Sequence, residues 1–114
     1  MTGIVLVPIY LSGSRSIQQH LTLRLGEVFR GPVEVRHRWF DPESCFDSSR
    51  GQYNSTLLLA QLQQAAGSSE RVLGLTGVDL FIPVLSYVFG EAQLPGRAAV
   101  VSLHRLAPEL YGLP

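Results

Sequence analysis

An unbroken apolar run, Ile4-Val5-Leu6-Val7, lies near the amino terminus of this 114-residue chain. Three of its four residues are β-branched, and no polar side chain alternates with them. A strand with one face in water alternates apolar and polar residues, whereas an unbroken run is typical of a strand covered on both faces. The run therefore predicts a central strand in an α/β sheet.

A helix is predicted directly after this strand. Ser16-x-x-Gln19 has the form of a capping box, and Gly31-Pro32 stops the helical pattern. Between these signals an apolar stripe recurs at steps of three and four residues: Ile17, Leu21, Leu25, Val28 and Phe29. This spacing predicts an amphipathic helix with one face on the sheet.

The residues from 33 to 39 alternate between apolar and polar side chains, as expected of a strand with one wet face. The predicted inward face carries Val33, Val35, His37 and Trp39. We therefore interpret His37 as a hydrogen-bonded structural histidine and Trp39 as a core residue.

A second helix and further strands follow. Asn54 or Ser55 can cap this helix, which Gly67 ends. Its predicted inward face carries Leu58, Leu62, Ala65 and Ala66. Residues 72–75 predict a short buried strand, and an apolar segment broken by Pro83 comes after it.

The last predicted feature is a hairpin, in which residues 87–93 and 98–103 flank the turn Leu94-Pro95-Gly96. Strands that alternate with helices pair in parallel through right-handed crossovers, whereas a hairpin joins antiparallel strands. We therefore predict one α/β domain over residues 1–114. It has a mixed five-stranded sheet, mostly parallel with one antiparallel edge strand, and two main helices.

Composition excludes several classes of function. Lys+Arg 9 and Asp+Glu 9 cancel, so bulk electrostatics favours neither nucleic acid nor an anionic membrane as a partner. All nine basic residues are Arg, which excludes a P-loop lysine and a Schiff-base lysine. The apolar run from Ile4 to Leu11 is too short to span a bilayer. The lone Cys45 predicts an idle thiol in a reducing, cytoplasmic protein.

The sequence shows no catalytic or metal-binding constellation. His20, His37 and His104 are far apart, and no pair has the i, i+4 spacing that places two imidazoles around a zinc ion. The roles of His37, His104 and Cys45 stay open. The residues alone predict a small α/β domain with no catalytic and no metal-binding residues.

Three segments in the second half resemble the archaemetzincins, a family of metzincin-type zinc metallopeptidases. They are G-L-T-x-V-D-L at Gly74–Leu80, V-F-G-E-A at Val88–Ala92 and V-S-L-x-R-L at Val101–Leu106. The segment Arg50–Ser55 and the opening strand Ile4–Pro8 also fit. The resemblance runs over almost the whole chain.

The zinc-binding motif of that family, His-Glu-x-x-His-x-x-Gly-x-x-His, is missing from this sequence. In the family it comes shortly after a segment like Pro108–Pro114. The resemblance therefore implies the N-terminal subdomain of a zinc-dependent metallopeptidase, without the C-terminal zinc-binding half. We expect no zinc in this chain, although the complete family enzyme holds it. We also expect no activity by itself, and as partners the missing subdomain and, in the complete enzyme, a peptide substrate.

The resemblance also implies a site for that substrate. In metzincins an antiparallel edge strand forms the upper rim of the cleft and pairs with an extended peptide. Carried over to this sequence, the substrate-cleft rim is Val88, Phe89, Gly90, Glu91 and Ala92. Gly90 permits close backbone approach, Phe89 lines a side-chain pocket, and Glu91 repels or orients a charged terminus. The alternative is that Phe89 is a core residue and Gly90 only a bulge.

Two other functions stay open. The chain is alternatively a stand-alone α/β module whose only activity is binding or self-association. By analogy of fold alone, it could also bind a small ligand at the carboxyl ends of its parallel strands. Without the active-site helix, part of the sheet face and the edge at Tyr87–Gln93 should be exposed, so we expect self-association.

Overall fold

The computed structural model describes residues 3–11, 15–64, 70–93 and 96–106. The elements in chain order are β1 (Gly3–Ile9), α1 (Arg15–Phe29), β2 (Val33–Val35), a 3₁₀ turn (Pro42–Cys45), β3 (Phe46–Asp47), β4 (Gln52–Asn54), α2 (Ser55–Gln64), β5 (Glu70–Thr76), β6 (Leu80–Ile82), β7 (Leu85–Val88), β8 (Gly90–Ala92) and β9 (Ala98–Ser102).

The predicted five-stranded sheet is confirmed, with the strand order β2-β1-β5-β9-β8. The first three pairs are parallel, and β8 joins the edge of the sheet antiparallel to β9. The strand β1 lies between β2 and β5, and its residues from Val5 to Val7 are at most 2% exposed. The unbroken apolar run is therefore a strand covered on both faces.

A second sheet was not predicted. It has four strands in the order β3-β4-β6-β7, with β4 and β6 parallel and the outer pairs antiparallel. Its strands are only two to four residues long, too short to show a period in the sequence. The segment predicted as one strand from 87 to 93 therefore divides at Phe89, where β7 ends in one sheet and β8 begins in the other.

The core lies between the five-stranded sheet and α2. Of the two predicted caps, Asn54 and Ser55, the structure selects Asn54, because the Leu57 backbone N–H donates to Asn54 Oδ1 (3.1 Å). Leu58 and Leu62 are fully buried, whereas the predicted inward residues 65 and 66 and the predicted stop at residue 67 lie outside the described residues. A Cβ on Gly74 would lie 2.6 Å from Leu62 Cδ1, so α2 crosses β5 where the strand has no side chain.

The helix α1 covers less of the sheet. It packs on β1 and β2, and its predicted stripe is only partly buried, since Val28 and Phe29 are 61% and 59% exposed. The helix already includes Ser16, so the predicted capping box does not mark its first residue. The sheet face beside β5 and β9 is therefore left with little cover from α1.

The predicted strand over residues 33–39 is too long, and its inward face is wrong. Regular pairing ends at Val35, which is exposed, and His37 is exposed as well, so it is no buried structural histidine. Trp39 is 36% exposed and donates from Nε1 to the Gln61 carbonyl (3.2 Å). The physical reason is that β2 is an edge strand, since none of the described residues forms a strand on its outer side.

The packing of α2 on Gly74 predicts a large cost for truncating Leu62. We expect Leu62→Ala to lower the free energy of unfolding by about 2–5 kcal/mol, because the surrounding core cannot collapse fully into the cavity. Leu57→Ala is the matched control on the same helix, where the side chain is 49% exposed and a change below about 1 kcal/mol is expected. Urea denaturation measures both variants, and equal losses would contradict this packing.

Candidate functional site

The predicted rim centres on β8, the outermost strand of the five-stranded sheet. Its pairing with β9 is regular across Gly90–Ala92. The Ser102 N–H donates to the Phe89 carbonyl (2.8 Å) at one end, and the Gln93 N–H donates to the Ala98 carbonyl (3.2 Å) at the other. Hydrogen-bonded and non-hydrogen-bonded pairs alternate in an antiparallel ladder. It follows that Gly90 and Ala92 direct their N–H and C=O groups away from β9, toward an edge where no described strand lies.

Gly90 is required by contact inside the sheet. A Cβ at this position would lie 2.5 Å from the Val100 carbonyl oxygen and 3.3 Å from Val101 Cα. Because the register is uninterrupted here, the predicted alternative of a bulge is wrong. The glycine is thus explained by the close approach of β8 to β9, and the predicted approach of a substrate backbone to Gly90 stays a prediction.

Glu91 fastens the rim to the beginning of α2. Its Oε1 accepts from Ser55 Oγ (2.5 Å) and from Thr56 Oγ1 (3.0 Å), and its Oε2 lies 3.1 Å from the same Thr56 hydroxyl. Ser55 is fully buried, and the amino end of a helix favours a carboxylate. Both carboxylate oxygens are thus engaged within the chain, which ties the edge strand in place.

The side of the rim next to β7 is aromatic. Phe89 is 50% exposed, so the alternative of a core phenylalanine is wrong. Its ring meets that of Tyr87 edge to face, with centroids 5.5 Å apart, and Arg105 Cζ lies 4.0 Å from the Tyr87 centroid. Val88, by contrast, packs against the core. The five predicted rim residues therefore have different environments, and Val88 contributes to packing.

A polar cluster joins the two sheets behind this rim. Asp79 accepts from Gln52 Nε2 (2.9 Å) and from Arg105 Nε and Nη2 (2.8 Å each). The hydrogen bond from Arg105 is the main cause that holds the pKa of Asp79 below its usual range. Two segments of the family resemblance contribute Asp79 and Arg105, but sequence reasoning assigned neither residue a role. The family resemblance of these two segments is the sequence feature that could have drawn attention to the residues. The contact between them is visible only in the structure.

Two hydroxyl groups form hydrogen bonds with backbone groups where β5 and β9 end. Thr76 Oγ1 donates to the Ile9 carbonyl (2.6 Å) and accepts from the Val78 N–H (3.2 Å). Ser102 Oγ donates to the Val78 carbonyl (2.5 Å) and accepts from the His104 N–H (3.1 Å). These motif hydroxyls satisfy backbone groups at the carboxyl edge of the sheet, so they are explained by structure.

A cleft of about 520 Å³ opens beside this cluster, lined in part by Gln52, Tyr53, Asp79 and His104. The small-ligand alternative would use this end of the sheet. Close to it, Glu43 accepts from the hydroxyls of Tyr53 (2.6 Å) and Tyr10 (2.8 Å). The pKa of Tyr53 is raised, first by burial and then by this carboxylate. The acidic groups of this region are thus occupied by partners within the chain.

The opposite end of the sheet carries an apolar groove of about 230 Å³ between α1 and the strands. Its lining includes Ile4, Leu25, Phe29, Leu73 and Ala99. This groove lies on the face that α1 covers only in part.

Within the part of the chain that the structure describes, no group of three His, Cys, Asp or Glu side chains is placed to hold a metal ion. The three histidines are exposed, and His104 Nδ1 lies 3.2 Å from the Gly77 carbonyl. Cys45 is 3% exposed, and burial raises the pKa of its thiol, so the predicted idle thiol is a core residue. Among the same residues, no helix is long and apolar enough to cross a membrane.

No protein-family model matches the chain, but similar sequences and similar solved structures were found. The archaemetzincin of Methanocaldococcus jannaschii is 45% identical over 98 residues, which are 86% of this chain and 52% of that protein. The crystal structure of the Archaeoglobus fulgidus archaemetzincin in complex with malonate matches with a TM-score of 0.78 and 32% identity, over 96% of this chain and 68% of that one. A zinc-dependent peptidase from Methanocorpusculum labreanum matches with a TM-score of 0.68 and 25% identity, over 98% of this chain and 69% of that one.

The chain therefore spans little more than half the length of the curated relatives it matches, 52% and 59% for two of them. The fold of the described residues is the fold of those solved structures over nearly all of this chain.

The polar cluster predicts an acid-dependent loss of stability. Because the pKa of Asp79 is lowered on folding, its contribution is complete above the unfolded value of 3.8 and is lost as the pH falls through the lower folded value. We expect Asp79→Asn to cost about 1–3 kcal/mol at pH 7, and the difference from the parent chain to shrink as the pH approaches 2. Urea denaturation at a series of pH values measures this.

Glu27→Gln is the control for that experiment. Glu27 pairs with Arg24 on α1, where both side chains are more than half exposed, and such surface pairs contribute little. We expect no measurable change from this substitution. A constant difference between Asp79→Asn and the parent chain at all pH values would contradict the role given to the Asp79 carboxylate.

Proposed function

We propose that this chain, which belongs to the archaemetzincin family, is the N-terminal subdomain of a zinc-dependent peptidase and supplies the sheet and upper rim of its substrate cleft. The observation that carries the proposal is the open edge of β8. There two residues, Gly90 and Ala92, direct backbone donors and acceptors away from their own sheet.

An extended peptide can pair with this edge as an added strand. The N–H groups of Gly90 and Ala92 would donate to peptide carbonyls, and their carbonyls would accept from peptide N–H groups. The two residues lie two positions apart, about 6.7 Å along the strand, which matches the repeat of an extended peptide. Since Glu91 is tied to α2, the edge is already in place before a peptide arrives.

The zinc chemistry belongs elsewhere in this proposal. A catalytic zinc site needs three protein ligands and one open position, and the described residues do not fit such a site. The name of the Methanocorpusculum relative states zinc dependence, and this chain spans only part of its relatives. We therefore assign the zinc ligands to a C-terminal subdomain and assign substrate pairing to the residues described above.

The apolar groove beside α1 supports the same partner. Its lining is mostly apolar, although it includes Arg71, Gln93 and Arg97, and Phe29 at its margin is 59% exposed. We propose that the C-terminal subdomain covers this groove in the complete enzyme. In the isolated chain a second copy would cover it, because apolar surface and an unpaired edge both favour self-association.

Pairing through backbone groups predicts a sharp dependence on peptide N-methylation. Two peptides of equal sequence would differ only in that one carries an N-methyl group on every backbone amide, so that in any register only the unmethylated peptide presents free N–H groups to β8. We expect that peptide alone to shift the amide resonances of Gly90 and Ala92 in a ¹⁵N NMR titration of the chain. Equal shifts from both peptides would contradict strand pairing.

We assign the zinc ligands to a C-terminal subdomain, and this assignment predicts how a chimera with such a subdomain behaves. We expect the 114-residue chain, purified without a tag, to bind no stoichiometric zinc, to hydrolyse no peptide and to self-associate. Joining the C-terminal part of the Archaeoglobus fulgidus archaemetzincin should give one zinc per chain and a monomer. Metal analysis and sedimentation over a concentration series measure both properties.

One tightly bound zinc ion in the 114-residue chain alone would contradict this division of roles. A chain that is monomeric at high concentration, with or without the added part, would favour the alternative of a self-sufficient module.

A further inference from the structure

Two aromatic side chains at the rim are exposed to solvent, although large aromatic residues are usually buried. Tyr87 and Phe89 are 39% and 50% exposed, and their rings meet edge to face at 85°. Leu85, on the same face of β7 as Tyr87, is 51% exposed. An exposed aromatic surface next to an unpaired strand edge indicates a contact with something outside the described chain.

Arg105 supports the aromatic pair of Tyr87 and Phe89 on the side of Asp79. Arg105 stacks on the Tyr87 ring at 4.0 Å, and two hydrogen bonds of 2.8 Å fix its guanidinium to Asp79. The positive charge of Arg105 is therefore compensated, and the surface that faces outward is an uncharged pair of rings. A pre-organised aromatic surface loses little conformational entropy when it binds an apolar group.

The position of Phe89 relates this surface to a bound peptide. Phe89 directly precedes Gly90, whose backbone groups point to the open edge. Residues that face each other across paired strands place their Cβ atoms about 4.5–5.5 Å apart, and diagonal neighbours remain within reach of an aromatic ring. A peptide residue beside Phe89 and on the same face would therefore contact the ring.

The negative charge of Glu91 limits which peptide side chains can lie beside Phe89. Glu91 follows Phe89 by two residues, and its carboxylate lies at the beginning of α2, where it binds Ser55 and Thr56. An acidic peptide side chain would be repelled there, and a small side chain would leave the rings in water.

We propose that Phe89, supported by Tyr87, is a specificity-determining residue that selects extended peptides with a large apolar side chain, aromatic above all, beside the ring. This inference rests on the strand pairing proposed above and names the substrate class of the same edge. Arg105 acts as a positioning residue for Tyr87, on whose ring it stacks.

Two blocked hexapeptides that differ only in one central residue, Phe or Ala, test the inference. They are titrated into the ¹⁵N-labelled 114-residue chain below the concentration at which it self-associates. A short peptide can slide along the edge, so its one large residue selects the register. The contact between the peptide Phe and the Phe89 ring buries apolar area, so we expect the Phe peptide to bind about tenfold more tightly than the Ala peptide.

Variants assign that difference to the ring. In Phe89→Ala the ratio of the two dissociation constants should fall to about one, and in Phe89→Leu it should take an intermediate value. Phe46→Ala is the matched control, because Phe46 is 41% exposed and contacts Tyr53 away from the rim, so the tenfold ratio should remain. Dispersion of the core amide signals verifies that each variant is folded.

The outcomes separate the two proposals. Equal affinity of the Phe and Ala peptides, with shifts at Gly90 and Ala92, would overturn the selection by Phe89 and leave strand pairing intact. Binding of neither peptide would overturn strand pairing and the selection with it. A ratio that persists in Phe89→Ala would place the apolar contact elsewhere and overturn the role of this residue.

Discussion

The ion pair between Asp79 and Arg105 is the contact on which the arrangement of the two sheets depends. Asp79 lies where the chain passes from β5 of one sheet to β6 of the other, and Arg105 follows β9. Gln52 adds a hydrogen bond from β4. Because Arg105 also stacks on Tyr87, one guanidinium holds both the junction of the sheets and the aromatic side of the rim.

The rim itself is fixed by contacts that leave its outer side free. Gly90 brings β8 so close to β9 that a side chain has no room, and Glu91 binds the beginning of α2 through two hydroxyls. The outward groups are then the backbone of alternate residues and the exposed ring of Phe89. A strand held in this way is ordered before binding, so a peptide that pairs with it meets little further entropic cost.

Two surfaces of the described chain are thus open, the edge of β8 and the apolar groove beside α1. In our proposal the peptide occupies the first and the C-terminal subdomain the second. The helices explain the asymmetry, because α2 packs against β5, β8 and β9 with a fully buried face, while α1 packs on β1 and β2. The chain spans little more than half the length of two curated relatives, and our proposal places the second subdomain in the remaining part of the family's length.

Local patterns in the sequence determined the order of the two helices and of the strands in the larger sheet, the central position of β1 and the parallel and antiparallel pairing of that sheet. They also placed the cap of α2 at Asn54 or Ser55. Hydrophobic period, capping and turns depend on near neighbours, so the sequence alone shows them. The second sheet escaped because strands of two to four residues show no period. The resemblance marked the segments that contain Asp79 and Arg105 and the rim around Phe89, but it assigned the first two no role. Their contact spans 26 residues and arises only when strand registers bring both side chains to one edge, which the tertiary structure alone decided.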